Sequence, residues 1–374
     1  MKRHELPTPC FVVDEAALRH NLKILTGVQT RTGAKVLLAQ KAFSMYRVYP
    51  LIKQYLSGAC ASGLYEARLA HEEMGGENHV FSPAYTAAEM QELVTICDHI
   101  VFNSFSQLEQ HRATCKKAGV SYGIRVNPEC STQEGHEIYD PCSPFSRLGV
   151  TKANFCADLL DGVEGLHIHT LCEQNSDDLV KTFESFERDF GEFLPRMKWL
   201  NLGGGHHITK PDYDLFALDE LLYSIRANYP NLAVYLEPGE AIALNAGWLD
   251  TTVLDIVENG MPILILDASA ACHMPDVLEM PYRPPLVDEP EEGGAVCRLA
   301  ARTCLAGDVI GDYRLRRMPQ VGERLSFSDM AIYSMVKTNT FNGMPLPAIA
   351  YMREDGDCEL VRTFDYHDFK GRLS

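Results

Sequence analysis

The chain has 374 residues, 46% of them hydrophobic and 23% charged, with a formal net charge of −17. Such an acidic surface excludes ordinary nucleic-acid binding, which needs a basic partner for phosphates, and it suits a cationic small molecule. No apolar run is long enough to cross a membrane, and Met1–Glu5 leads straight to Pro7 without a signal-peptide pattern, so a soluble cytoplasmic protein is expected.

The first two-thirds of the chain alternates short apolar runs with longer amphipathic stretches. A strand at 10–13 precedes a helix at 15–28. Strands then follow at 35–39, 58–61, 79–82, 99–102, 121–126, 165–169, 199–202 and 233–236. Helical patterns lie at 64–74, 87–96 and 106–118, the last with Ser106 as expected N-cap and Glu109 three residues on. In 177–193, Leu179, Phe183, Phe186 and Phe190 make one apolar stripe. Eight strands with helices or crossovers between them predict an α/β fold, a (β/α)8 barrel of the TIM type over residues 30–245. The long connection at 127–151, rich in Pro, Cys and Ser, is expected to be a functional loop.

After residue 245 the rhythm changes. Strand-like runs at 249–257, 263–266, 296–301, 324–327 and 348–352, separated by turn-rich segments, predict an all-β C-terminal domain over 246–374. The N-terminal strand, within 8–14, is expected to join it. Twelve cysteines are scattered without a C-x-x-C pair, which argues against a zinc ribbon and for reduced residues in a core.

Barrel chemistry collects at the C-terminal ends of the strands. Lys41 stands there after Val36-Leu37-Leu38-Ala39. Arg125 and Asn127 end the fifth strand. His167 and His169 share a face by the period of two. Gly203-Gly204-Gly205 follows the seventh strand, where barrels often hold a phosphate on backbone N–H groups. Glu237-Pro238-Gly239-Glu240 follows the eighth. Taken singly, each has an ordinary reading: a surface lysine, a packed histidine, a tight turn. Their conjunction at successive strand ends points to a lysine amine poised for Schiff-base chemistry beside an anion cradle.

These residues resemble a known family. VLLAQKAF at 36–43, GLHIH at 165–169, LGGG at 202–205 and EPG at 237–239 are similar to the motifs of the fold-III, alanine-racemase-like enzymes that use pyridoxal 5'-phosphate (PLP). Cys304 to Asp308, Tyr333 and TFNG at 340–343 are similar to motifs of that family's β-domain. Within the group, the segments HTLCEQN at 169–175, LGGGHHIT at 202–209, EPGEA at 237–241 and LDASAACHMPDVLEMPYRP at 266–284 resemble the carboxynorspermidine/carboxyspermidine decarboxylases of polyamine biosynthesis.

The resemblance implies that Lys41 carries the cofactor and that Glu237 pairs with its ring nitrogen and keeps it protonated. His169 would stack on the ring, and Arg125 would belong with the cofactor-binding residues. Gly203, Gly204, Gly205 and Tyr333 would hold the phosphate. Ornithine-type members have an arginine after EPG, where this chain has Glu240. The phosphate then needs other donors, and His206 is the expected one. Cys304 and Asp308 would come from a partner subunit, making a homodimer, with Cys304 returning a proton to Cα. A carboxylated polyamine brings amines that need carboxylates, and Glu240, Asp276 and Asp308 are the expected partners. Asp267 would be a further amine partner or a structural cap.

Three other readings stand beside this one; the first, a non-catalytic regulator that binds partners, is opposed by the presence of Lys41, which such proteins can lose. A PLP decarboxylase for another basic amino acid, such as diaminopimelate, is opposed by Leu305, where an acidic residue is usual, and by Glu240. A metal-dependent barrel hydrolase could draw ligands from His167, His169, His206 and His207, but it leaves Lys41 and the C-terminal motifs without a role; no metal is expected.

Overall fold

Short Val- and Leu-rich strands that are buried on both faces need helices or loops to cover them, and a closed parallel barrel is one solution. That is the arrangement in the computed structural model, which describes residues 1–133 and 137–374. Strand β1 (Cys10–Asp14) leads into α1 (Glu15–Thr32). The chain then runs through β2 (Lys35–Ala39), α2 (Tyr49–Ile52), β3 (Gly58–Ala61), α3 (Leu64–Leu69), β4 (Glu77–Phe81) and α4 (Ala87–Ile96). Next come β5 (His99–Phe102), α5 (Phe105–Ala118), β6 (Ser121–Arg125), β7 (Gly165–His167), α6 (Ser176–Phe190), β8 (Trp199–Asn201), α7 (Leu215–Asn228), β9 (Ala233–Leu236) and α8 (Glu240–Ala243). Strands β2 to β9 pair in sequence order, all parallel. The ring closes where Lys35 meets Tyr235 and Val36 meets Leu236.

Two compact units make up the chain: Asn21–Ile242 holds the barrel, and Met1–His20 with Ala243–Ser374 forms the other. The barrel unit therefore begins inside α1, earlier than residue 30. The reason is local: Thr26 and Gln29 of α1 donate to the Tyr55 carbonyl, and Gln29 accepts from Val36 N–H at 2.9 Å, which ties the helix to the first barrel strand.

At one level of the barrel, Gly123, Gly165 and Trp199 are neighbours on β6, β7 and β8. The indole lies across both glycines, donates to Ser121 Oγ at 2.9 Å and stacks on His99 at 4.7 Å between ring centroids. A Cβ at Gly165 would sit 1.9 Å from the indole ring, and one at Gly123 2.3 Å from it. A rigid aromatic ring cannot yield that much. Gly165→Ala is expected to cost about 1–3 kcal/mol or more by overpacking, read as a lower urea midpoint at unchanged m-value. A variant as stable as the parent would show that Trp199 can repack.

Helix α5 starts one residue before the expected 106, and its N-cap is Ser104, not Ser106: Gln107 N–H donates to Ser104 Oγ at 3.3 Å. Starting there puts Phe105, Leu108, His111 and Cys115 on one buried face. Helix α6 buries Leu179, Phe183, Phe186 and Phe190, the expected stripe, and gives way at Gly191 to a tighter turn containing Pro195. The segment expected as one helix at 64–74 changes after Leu69 into a wider π turn over Ala70–Met74. The 127–151 connection returns to its origin: Asn127 N–H donates to the Val150 carbonyl and Val150 N–H to the Arg125 carbonyl. Its residues 134–136 lie outside the described residues.

The second unit contains β10 (Gly247–Glu258), β11 (Pro262–Leu266), α9 (Ala270–His273), α10 (Asp276–Glu279), β12 (Ala295–Ala301), β13 (Val309–Leu315), β14 (Arg324–Ser328), β15 (Ala348–Met352), β16 (Cys358–Arg362) and α11 (Tyr366–Lys370). Its sheet runs β13-β12-β11-β10-β1-β15-β16, with β14 also on β10. The N-terminal strand β1 lies between β10, antiparallel, and β15, parallel. Phe11, Leu249, Leu266, Leu299, Tyr313 and Phe327 centre its core. Strands β13 and β16 were not expected; Gly311 and Asp312 interrupt the apolar alternation in the first, and the second, Cys-Glu-Leu-Val-Arg, is half polar.

Candidate active site

Because β2 to β9 are parallel, their C-terminal ends face one way, and the polar residues that follow them meet. Lys41 lies two residues past β2. Its turn is pinned by Gln40, which donates to the Glu66 carbonyl at 2.9 Å and accepts from Tyr49 O–H at 3.0 Å. The Lys41 side chain is exposed and, among the described residues, its amine has no hydrogen-bond partner. Its charge acts on Cys60, Glu66, His167 and His169, which marks the groups around it.

Glu237, just past β9, is buried. Its Oε1 accepts from Asn201 Nδ2 at 2.7 Å, and its Oε2 lies 3.2 Å from His167 Nε2. Burial works against its ionisation, but the hydrogen bonds from His167 and Asn201 favour the charged form, and its pKa stands at about 2. It is therefore a carboxylate at any physiological pH. Burial pushes His167 down despite the carboxylate beside it, so the pair is an anion with a neutral imidazole donor.

Asn201 was not singled out in the sequence. It ends β8 and also accepts from Gly203 N–H at 2.8 Å, so one amide ties Glu237 to the glycine loop. The available signal was a polar residue closing the apolar strand just before Leu202-Gly203.

His169 accepts from Gly204 N–H at its Nδ1, 3.1 Å away, which leaves the ring proton on Nε2. Burial, then the charges of Lys41 and Arg125, push its pKa well down, so the ring is neutral. Arg125 donates to the His169 carbonyl at 2.9 Å and lies over Phe81, 4.6 Å from the ring centre. Burial lowers it to about 10, and it stays charged.

The glycine run is forced by close backbone approach. Gly203 and Gly205 have φ of 70° and 82°. A Cβ at Gly204 would lie 2.1 Å from the Glu237 carbonyl oxygen, and one at Gly205 1.9 Å from that of Leu171. The first two N–H groups of the run are taken by Asn201 and His169. Among the described residues, the N–H groups of Gly205 and His206 find no acceptor, so two consecutive donors remain for an anion.

His206 leans on Tyr213, with Nδ1 2.7 Å from the phenol oxygen. Burial and the neighbouring His207 push it to about 3, so it is neutral. Glu240, expected at a substrate amine, faces His207 Nε2 with its Oε2 at 2.6 Å.

The remaining expected residues belong to the other unit and are described there by themselves. Asp276 is ion-paired with Lys337, which also reaches Glu279. Asp308 is buried and accepts from Ser269 Oγ at 2.7 Å, Thr303 Oγ1 at 2.5 Å and Ala271 N–H at 3.1 Å, so it clamps its own loops. Asp267 accepts from Thr251 Oγ1 and Thr252 N–H through its Oδ1. Each expected substrate carboxylate thus has partners within the chain: sequence shows the charge but not its neighbours. Cys304 is exposed, and its N–H donates to Asn342 Oδ1 at 3.0 Å. Tyr333 has a φ of 46°, with Lys337 Nζ 5.9 Å from its ring centre.

The histidines of the metal alternative are held by Glu237, Gly204, Tyr213 and Glu240 instead. Among the described residues, the three-donor set within ligand reach is Glu77, His79 and His99, at the N-terminal ends of β4 and β5, where Lys35 and Tyr235 already bind Glu77. No helix among the described residues is long and apolar enough to cross a membrane.

Residues 10–331 match the family described as pyridoxal-dependent decarboxylase, C-terminal sheet domain. The chain is 43% identical, over 98% of its length and 96% of the relative's, to the carboxyaminopropylagmatine decarboxylase of Synechocystis. It is 38% identical to the carboxynorspermidine/carboxyspermidine decarboxylase of Campylobacter jejuni, over 98% of this chain and 99% of that one. The crystal structure of C. jejuni carboxynorspermidine decarboxylase with norspermidine superposes with a TM-score of 0.92 at 37% identity, over 98% of this chain and all of that one.

Proposed function

Since the chain belongs to the pyridoxal-dependent decarboxylases, we propose that it removes the α-carboxylate of carboxynorspermidine or carboxyspermidine to give norspermidine or spermidine. The cofactor of this reading is PLP, held at the C-terminal end of the barrel. The residues there fit it. They offer an uncommitted lysine amine, a buried anion, a neutral imidazole and two unclaimed N–H donors beside a glycine run. When bound, PLP supplies an electron-accepting ring for the pair left behind as CO2 departs.

The protein's part is binding and charge. Lys41 provides the amine that carries the cofactor. Glu237 holds a proton on the ring nitrogen, because an adjacent anion favours the cationic form; His167 and Asn201 aim and ionise it. His169 packs on the ring, positioned by Gly204 and Arg125. Gly205 and His206 N–H hold phosphate oxygens. A second copy of the chain contributes Cys304, which returns the proton to Cα, so the active form is a homodimer. Twelve cysteines with no disulfide among the described residues support a cytoplasmic setting.

Glu237 carries the reaction assignment: a buried carboxylate at the end of the last barrel strand, aimed by His167 and Asn201, is the anion that a protonated ring nitrogen needs. The substrate rests on near-full-length likeness to the C. jejuni enzyme. The Synechocystis relative favours a second reading, carboxyaminopropylagmatine. All three compounds present a carboxylated aminopropyl head and differ in the cationic tail.

The test is CO2 release on those three compounds, diaminopimelate and ornithine. Turnover confined to the carboxylated polyamines is expected, and the ratio of kcat/KM among them selects the tail. Comparable turnover of diaminopimelate or ornithine would overturn the substrate assignment.

A further inference from the structure

We propose that Asn342 is the positioning residue for Cys304: its side-chain oxygen fixes the backbone carrying the thiol that returns the proton to Cα. This rests on the reading of Cys304 as the proton donor.

Cys304 stands on a loop with little packing of its own. Arg302, Cys304, Leu305, Ala306 and Gly307 are exposed, and a Cβ at Gly307 would meet nothing within 4 Å. The bonds within the loop gather at Asp308, whose carboxylate accepts from Thr303 Oγ1 at 2.5 Å and whose N–H donates to the Leu305 carbonyl at 2.9 Å. Neither bond reaches Cys304. Its N–H donates instead to Asn342 Oδ1, 3.0 Å away and 38 residues further along the chain. So exposed a loop samples many conformations unless a hydrogen bond selects one.

Asn342 has a left-handed backbone, φ 59° and ψ 17°, a region that asparagine tolerates better than most residues. Glycine would serve such a turn at least as well. The turn therefore does not account for the carboxamide, whereas the bond to Cys304 does. The segment around it is anchored. Asn339 N–H donates to the Cys272 carbonyl at 3.0 Å, its Nδ2 to the Ala271 carbonyl at 2.8 Å, and its Oδ1 accepts from Phe341 N–H at 2.9 Å. Helix α9 in turn meets Asp308 through Ala271 N–H and Ser269 Oγ at its N-cap. Buried His273 closes the same frame: its Nδ1 accepts from Ser269 N–H at 3.2 Å, and its Nε2 donates to the Pro345 carbonyl at 3.0 Å. The cysteine loop and the asparagine segment are thus tied to one short helix, and Asn342 joins them at Cys304 itself.

Placement matters because the proton has two destinations once CO2 has left. On Cα it gives the amine product, and the thiol is recharged from water. On the cofactor's carbon it leads water to release the substrate carbon as an aldehyde, two electrons more oxidised. The nitrogen then stays on the cofactor as pyridoxamine phosphate, two electrons more reduced. A donor misplaced by about 1 Å loses about 10²-fold in rate, and the competing site gains by that loss.

The experiment uses Asn342→Gly, Asn342→Asp, Cys304→Ala and the double variant of Asn342→Gly with Cys304→Ala. In the full chain without cofactor, hydrogen exchange at the Cys304 amide is read on peptides spanning residues 302–308. It is expected to quicken about 3- to 10-fold in Asn342→Gly, the worth of one hydrogen bond, and to stay parental in Asn342→Asp, which keeps the acceptor. In the loaded enzyme, Asn342→Gly should lower kcat about 10- to 100-fold and raise the aldehyde share of the product. Asn342→Asp should restore both, and the glycine should add nothing in the Cys304→Ala background. Parental exchange or a parental product ratio in Asn342→Gly overturns the proposal, as does an effect of the glycine that persists undiminished without Cys304. Should Asn342→Gly not fold, Asn342→Ala takes its place in the same comparisons. Parental rate and product ratio in Cys304→Ala would instead overturn the proton-donor reading on which the proposal stands.

Discussion

Lys41→Ala is expected to remove the absorbance band of lysine-bound PLP and to lower turnover by about four orders of magnitude or more, as losing a covalent nucleophile does. The structure separates this loss from unfolding. The amine is exposed and makes no hydrogen bond among the described residues, while the turn that carries it is held by Gln40, Tyr49 and Glu66. Truncating an exposed, unpaired side chain changes stability by only about 0.5 kcal/mol. The variant should therefore melt with the parent while being inactive. Difference spectra and single-turnover CO2 release on the same preparation check both statements. Retained turnover would remove Lys41 from the chemistry and reopen the choice of nucleophile.

Glu237→Gln is expected to lower kcat by about 10²- to 10³-fold, the usual cost of deleting one preorganised electrostatic partner, while Lys41 still captures PLP. Glutamine keeps the shape and the acceptor for Asn201 but presents an N–H₂ group to His167, whose Nε2 donates there in the parent. Without the anion, nothing holds a proton on the ring nitrogen, and the ring is a weaker electron sink. The pKa of Glu237 is depressed from the ordinary carboxylate value, 4.5, to about 2. The stability tied to its ionisation is thus fully present above 4.5 and is lost only as pH falls through about 2. Between pH 5 and 8 the variant should show a stability difference that does not vary with pH from this group, alongside the drop in kcat. Parallel kinetics and urea melts at both pH values test the pair of expectations. An unchanged kcat would mean that the buried anion is structural.

The barrel was legible because its signals are local. Eight apolar runs, each followed by an amphipathic stretch or a loop, specify parallel strands wherever they occur, and the strand ends then place Lys41, His169, Gly203–Gly205 and Glu237 on one rim without any knowledge of contacts. The conformational demand on Gly203 and Gly205, at positive φ, is likewise a property of the residues themselves. The start of α5 was misread because two serines offered a cap, and only the burial of Phe105 chooses between them. Strands β13 and β16 escaped because their partners, β12 and β15, supply the hydrogen bonds that their own sequences do not advertise.

Charge partners were the part that only the tertiary structure decided. Sequence presented Glu240, Asp276 and Asp308 as three spare carboxylates for a polycation. Folding gives them His207, Lys337 and a set of three donors, most of them residues between 33 and 61 positions away, with Thr303 the local exception. Likewise, the two adjacent histidines at 206 and 207 are equivalent on paper. Burial and His207 push the first down to about 3, whereas Glu240 outweighs burial and raises the second above the ordinary histidine value, since a pKa depends on burial and on neighbours brought from other strands. Sequence alone determined which chemical groups stand at the barrel rim. The fold determined which of them remain free to act, because hydrogen bonds and ion pairs between distant residues consume the rest.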